Sequence, residues 1–137
     1  MIEYKNIKPT VAEYKYLFEC ANWSSFILKC DNEIQIAIDN SWYWVTVFDE
    51  DNIIGMGRIV SDSVLYAFIC DMIVIPSYQN NKIGKTIINK LKEKCIENKF
   101  SRVWLFAAPG KSEFYIKNGF EKRPDDAPGM QLKNIQK

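Results

Sequence analysis

The sequence predicts a mixed α/β fold: a mainly antiparallel sheet that carries one parallel strand pair, with helices on both faces. Three observations predict it. Between positions 41 and 75, three runs rich in β-branched and aromatic residues are separated only by turn chemistry, at 49–52 and at Ser61-Asp62-Ser63, which is the spacing of a meander. Beyond Pro76, Ile83, Ile87, Ile88, Leu91 and Cys95 recur at helical spacing with lysines and Glu93 between them. Another apolar run, Val103 to Ala107, then follows. A strand, a helix and a strand of these lengths form a right-handed crossover, which makes the two strands parallel neighbours.

Taken in order, Ile2 to Asn6 reads as a short strand, and Pro9 breaks it. Thr10 with Glu13 three residues on has the pattern of a capping box and opens a helix from Val11 to about Cys20. Residues 21–25 read as a loop. Asp31 is the expected N-cap of a second helix ending near Asp39, with Ile34, Ala37 and Ile38 on one side. Ser41 to Phe48 and Ile53 to Val60 are the first two strands of the meander, and Gly55 and Gly57 mark places for a close backbone approach. Val64 to Ile75 reads as one long strand buried on both faces. Val103 to Ala107 is a further buried strand. Ser112 to Asn118 makes a short helix stopped by Gly119. Phe120 to Lys122 and Gly129 to Leu132 are expected as a last pair of strands.

Composition narrows the chemistry. The 137 residues, 47% of them hydrophobic, suit one compact domain over the whole chain. Lys and Arg total 18 against 17 acidic residues, a balance that argues against nucleic acid or an anionic membrane as partner. There is no histidine, so Ser-His and Cys-His nucleophilic catalysis are excluded. Cys20, Cys30, Cys70 and Cys95 contain no CxxC pair, so no metal site is expected and reduced thiols are. The polar start MIEYKNIKPT and the lack of a long apolar stretch make the cytoplasm the expected location. A homodimer is the one protein assembly left open.

The segment that carries chemistry is CDMIVIPSYQNNKIGKTIINKL, residues 70–91: a strand, a tight polar turn and an amphipathic helix. Amides at the start of such a helix lack intrahelical partners and, with the helix dipole, favour an anion. Gln79, Asn80, Asn81 and Gly84 suit that turn, because asparagine tolerates left-handed geometry and glycine lets a ligand approach the backbone. An ordinary strand-to-helix loop is the competing reading. Gly84-Lys85-Thr86 resembles the tail of the phosphate-binding loop G-x-x-x-x-G-K-S/T, but Gln79 stands where that motif needs its first glycine.

Another pattern fits better. Val74-Ile75-Pro76-Ser77-Tyr78-Gln79-Asn80-Asn81-Lys82-Ile83-Gly84 resembles the GNAT acetyltransferase signature, Gln/Arg-x-x-Gly-x-Gly/Ala after a strand ending in Val-x-Pro. Asp71, Val74, Pro76, Gln79 and Gly84 match in register, and Lys82 stands at the first glycine position. Phe114-Tyr115-Ile116-Lys117-Asn118-Gly119-Phe120 resembles the family's Phe-Tyr-x-x-x-Gly-Phe segment. Residues 123–130 (RPDDAPGM) and 55–60 (GMGRIV) resemble a subgroup of small bacterial members.

The resemblance implies an enzyme that moves an acetyl group from acetyl-CoA, its co-substrate, to a primary amine, here a small molecule, by direct attack on the thioester. A peptide or protein acceptor, and a module that binds CoA without turnover, are the alternatives. It implies a splayed central strand pair, opened by a bulge. The backbone of Met72, Ile73 and Val74 would pair with pantetheine, and the N–H of Ile73 or Val74 would face the thioester oxygen. Amides of Gln79, Asn80, Asn81, Lys82, Ile83, Gly84 and Lys85 would hold the diphosphate. Tyr115 matches the tyrosine that protonates the departing thiolate, while Phe114 and Phe120 read as core. Asp71 is the first candidate for the general base, with pairing to Arg58 as its structural alternative, and Glu33 and Glu13 are weaker options. Trp23, Trp42 and Trp44 are the candidate acceptor surface. Strand alternation would put Trp42 and Trp44 on one face and Tyr43 on the other.

Overall fold

A computed structural model describes residues 1–133. Two compact units divide the chain, Met1–Phe106 and Ala107–Lys137. The first holds β1 (Ile2–Lys5), α1 (Val11–Cys20), α2 (Asp31–Asp39), β2 (Tyr43–Asp49), β3 (Asn52–Ser61), β4 (Tyr66–Val74), α3 (Ile83–Glu97) and β5 (Arg102–Leu105), with single 3-10 turns at Ser24–Phe26 and Pro76–Tyr78. The second holds α4 (Ser112–Lys117).

The five strands form one sheet in the order β1-β2-β3-β4-β5, antiparallel except for the parallel pair β4 and β5. This is the mixed, mainly antiparallel sheet that the meander and the crossover predict. Gly57 of β3 looks toward Ile87 and Leu91 of α3, whereas its neighbour Arg58 points toward Asp71 and, on α1, Tyr14. Alternation along the strand therefore puts α3 on one face and α1 on the other. The core lies in these two layers, among Leu17, Ile38, Val45, Val47, Met56, Ile59, Ile69, Ile87, Ile88 and Leu91, all fully buried.

Local chemistry explains the ends of the elements. Thr10 Oγ1 accepts the Glu13 N–H (3.1 Å) and Glu13 Oε1 accepts the Thr10 N–H (2.9 Å), the reciprocal box read from the sequence. The second helix starts one residue earlier in its capping than Asp31 suggests: Cys30 is the N-cap, and its N–H donates to Glu33 Oε1 at 3.2 Å. β4 begins at Tyr66 rather than Val64. Asp62 Oδ1 accepts the N–H groups of Val64, Leu65 and Tyr66 (3.0, 2.8 and 3.1 Å) and so holds this stretch in a turn. Nor is β4 buried throughout, because Ala67, Ile69 and Ile73 are buried while their neighbours are half-exposed.

Two further expectations are corrected. The strand after α3 is an edge strand, with Trp104 39% exposed and stacked on Tyr66 at 5.6 Å. A short apolar run does not distinguish an edge from a centre. Neither Phe120–Lys122 nor Gly129–Leu132 is a strand. Pro124 and Pro128 remove ladder donors on this stretch, and it is short of β-branched residues. Gly119 does stop α4: it sits at φ +95°, and the Phe120 N–H returns to Tyr115 O at 3.0 Å.

Candidate active site

The site begins with a bulge. On β4, Ile73 faces Met56 and Cys70 faces Arg58, so Asp71 and Met72 together oppose the single residue Gly57. Asp71 takes the left-handed conformation (φ +56°) that lets the strand absorb its extra residue. A non-glycine residue there stores about 1–3 kcal/mol of strain. Glycine at 57 lets β3, β4 and α3 approach closely, since an added Cβ would lie 2.9 Å from Met72 Sδ, Ile87 Cγ2 and Leu91 Cδ1 and would force them to shift.

Past the bulge, β4 leaves its parallel neighbour. It pairs with β5 only through Tyr66 to Ile69. The Ile75 N–H donates to Ile54 O of β3 at 2.9 Å. Backbone groups alternate in direction along an antiparallel ladder, so Ile73 faces β3 while Met72 and Val74 turn their N–H and C=O toward the opened side. The Val74 carbonyl there accepts Gln79 Nε2 at 2.9 Å. Of the two residues expected to offer an N–H at the split, the ladder presents Val74 and commits Ile73.

Gln79 thereby ties the polar turn to the end of β4. Tyr78 ties it again, donating its hydroxyl to Asp49 Oδ2 at the end of β2. Asn80 (φ +69°) and Lys82 (φ +62°) both take left-handed geometry, the backbone pattern of anion-binding nests. Lys82 is the N-cap of α3, and no side chain caps that end. The first intrahelical bond is Thr86 N–H to Lys82 O, 3.1 Å, and the Thr86 hydroxyl returns to the same carbonyl at 3.0 Å. The amides of Ile83, Gly84 and Lys85 precede that first bond and have no acceptor within the helix. Ile83 is itself anchored, its side chain buried, while Lys82 and Lys85 are exposed. A diphosphate fits this donor set: uncapped amides at a helix start, the positive end of the dipole and two lysines.

Asp71 lies on the face opposite α3. Its Oδ2 accepts the Tyr14 hydroxyl (2.5 Å) and Arg58 Nε (2.7 Å), and Arg58 Nη1 continues to Ser41 Oγ (3.0 Å). Burial, then the charge of Asp71, pushes the Tyr14 phenol far above its ordinary value. The same two causes push the Cys70 thiol up to about 12. The alternative of an Arg58 pair is thus the geometry found at Asp71. Tyr14 and Ser41 were not among the expected site residues. Tyr14 sits with Leu17 and Phe18 on the apolar stripe of α1, and that position looks like core in any sequence. Glu33 and Glu13 are both engaged by backbone amides as helix caps, and the Cys30 amide holds the Glu33 carboxyl below its usual range.

The three tryptophans are not brought together. Trp44 is 4% exposed, donates Nε1 to Ile38 O (3.2 Å) and meets Tyr14 edge-on at 6.1 Å, so it belongs to the core beside Asp71. Trp42 precedes the strand and does not share its alternation. It packs on Phe100 at 5.0 Å and, with Tyr43, lies under Lys94 of α3, so Trp42 and Trp44 occupy opposite faces. Trp23 meets Phe18 at 6.0 Å, and Phe18 meets Tyr14 at 4.8 Å, which links the loop after α1 to the surroundings of Asp71. In the second unit, Tyr115 is half-buried between Phe114 (5.0 Å) and Phe120 (6.0 Å), and burial raises its phenol above the ordinary value. Phe114 and Phe120 are half-buried partners of that ring.

The chain is similar to known proteins in sequence and in fold. The chain is 31% identical over 130 residues to "Uncharacterized N-acetyltransferase ycf52" of Pyropia yezoensis, covering 92% of this chain and 72% of that one. It is 37% identical over 82 residues to "Histone acetyltransferase TAP1" of Glycine max, 60% of this chain and 36% of that protein. A Staphylococcus aureus structure described as a protein of unknown function and probable acetyltransferase superposes with a TM-score of 0.85 at 26% identity, over 97% of this chain and 99% of that one. The model of the Acetyltransferase (GNAT) family matches residues 12–120, from the first helix through the Phe-Tyr-x-x-x-Gly-Phe segment. The chain belongs to the GNAT family of acetyltransferases.

Proposed function

We propose that this chain transfers an acetyl group from acetyl-CoA to the primary amine of a small molecule, by direct attack without a covalent enzyme intermediate. The observation that carries the proposal is the uncapped start of α3 behind left-handed Asn80 and Lys82, set next to a β4 edge opened by the bulge at Asp71 and Met72. The absence of histidine agrees with direct transfer.

Bound acetyl-CoA would supply an acyl group already activated as a thioester. The amides of Ile83, Gly84 and Lys85, with those of the turn from Gln79 to Lys82, hold the diphosphate, and Lys82 and Lys85 add positive charge. Met72 and Val74 offer backbone partners to the pantetheine arm, and the Val74 N–H is the donor for negative charge developing on oxygen at that edge. Tyr115 keeps its proton at neutral pH, its phenol being raised by burial, and gives it to the departing sulfur. An alkylammonium has a pKa of about 10, so the acceptor must lose a proton first. Asp71 Oδ2 is already engaged twice, and water is assigned that proton. Trp23, with the 72%-exposed Phe26 at 6.3 Å, is the aromatic surface left for the acceptor. Four free cysteines suit a reducing, cytoplasmic setting. No helix among the described residues is long and apolar enough to cross a membrane.

A protein acceptor is the second reading, favoured by the name of the Glycine max relative. One assay decides: purified protein, acetyl-CoA and a panel of small amines with a lysine-containing peptide, followed by free-thiol detection. Release that depends on a small amine is the expected result. Release with the peptide alone favours the second reading, and no release despite firm CoA binding would make the chain a non-catalytic module.

A further inference from the structure

The carboxylate of Asp71 joins three elements. It sits at the extra residue of β4, receives the Tyr14 hydroxyl from α1 and Arg58 Nε from β3, and through Arg58 Nη1 reaches Ser41 just before β2. Both side chains of the ion pair are largely withdrawn from water, 17% and 16% exposed, where charge-assisted hydrogen bonds are stronger than at a surface. On the opposite face, Met72 Sδ, Ile87 and Leu91 fill the space above Gly57. The bulge is therefore held from both sides, by ion pairing on the α1 face and by close packing on the α3 face. Two donors converge on a single oxygen of Asp71, an arrangement that fixes a backbone in place.

We infer that Asp71, Arg58 and Tyr14 are positioning residues that lock the β4 bulge and so aim the Met72 and Val74 amides out of the sheet. This rests on the acetyltransferase reading for its consequence, since those amides are the ones assigned to the pantetheine arm. The diphosphate turn lies beyond that edge; Gln79 joins it to the Val74 carbonyl, while Tyr78 anchors it independently to Asp49 at the end of β2. The lock therefore acts directly on the pantetheine part of the site and reaches the diphosphate turn only through the Gln79 bond, with Tyr78 holding that turn in place.

Asp71→Asn and Tyr14→Phe test this. Both keep the size of the side chain, and Tyr14→Phe guards against a folding failure in the first. Amide hydrogen exchange is measured on ligand-free protein, and calorimetry on CoA and on adenosine 3′-phosphate 5′-diphosphate, which lacks pantetheine. In both variants the amides of Ile73 and Ile75, which face β3, should exchange about tenfold faster, with the centre of α3 unchanged. CoA affinity should fall about fivefold, the worth of roughly one hydrogen bond, and affinity for the nucleotide fragment should stay as in wild type. Wild-type exchange and CoA affinity in Asp71→Asn, with turnover abolished, would overturn the inference and make Asp71 the base. Equal loss of both ligands, with faster exchange throughout, would reduce the network to general stability and overturn it too. A wild type that binds neither ligand defeats the acetyltransferase reading instead, and the exchange data alone then decide whether the lock exists.

Discussion

Gly57→Ala probes the packing that joins the bulge to the helix behind it. A methyl at this position would stand 2.9 Å from Ile87 Cγ2, Leu91 Cδ1 and Met72 Sδ. Carbon atoms sit comfortably about 3.5–4.0 Å apart, so each neighbour must retreat by more than half an ångström. Met72 is flexible and can yield, but Ile87 and Leu91 are fully buried on α3, and protein interiors are packed closely enough to resist such a shift. Overpacking of this kind costs about 1–3 kcal/mol. The loss of glycine's freedom in the unfolded chain returns about 0.4–1 kcal/mol. A net loss of roughly 1–2 kcal/mol lowers the melting temperature of a chain this size by about 3–8 °C. Thermal unfolding followed by circular dichroism reads this directly. A variant that melts within a degree of wild type would refute the claim that α3 and the bulge are in close contact at Gly57.

Other outcomes follow from the same geometry. Lys82→Gly should raise the melting temperature by about 2–4 °C. Relief of a left-handed φ is worth roughly 1–2 kcal/mol, and glycine's entropy takes back about half; an unchanged or lower melting point would show that Lys82 is held by contacts that outweigh its strain. Tyr115→Phe should lower kcat by about 10–1000-fold with CoA affinity unaltered, on the scale of a lost general acid, and an unchanged rate removes the phenol from the mechanism. Burial raises the Tyr115 phenol, so the proton donor is lost only above its ordinary pKa of about 10. The alkaline limb of kcat against pH should therefore not fall before that value, and a midpoint below about 9 would point to another group.

The sequence and the structure agree where periodicity and turn chemistry speak for themselves. The meander, the crossover helix, the Thr10–Glu13 box and the Gly119 stop are all written in local residue choice. So was the left-handed tolerance of Asn80, and so was the close approach at Gly57, where the missing side chain is the signal. What depends on long-range register was hidden. The family resemblance implies a bulge in β4, but no local pattern says that the extra residue falls at Asp71, since aspartate at φ +56° looks like any strand residue until its partner strand is known. Tyr14 reads as core because an apolar stripe does not reveal that one hydroxyl on it meets a carboxylate 57 positions away. Trp42 and Trp44 are two residues apart, yet they lie on opposite faces because β2 begins between them. The supposed strands after Phe120 fail for want of residues that favour a ladder, in a stretch punctuated by Pro124 and Pro128.

The central claim is that the amides opening α3 hold a diphosphate. Calorimetric titration of CoA into wild type and Gly84→Asp tests it most directly. A carboxylate at position 84 adds bulk and like charge among the donors, so wild type should bind with measurable heat and the variant at least about tenfold more weakly, a difference of about 1.4 kcal/mol. Equal affinity in the two proteins, or no heat with a well-folded wild type, would contradict it.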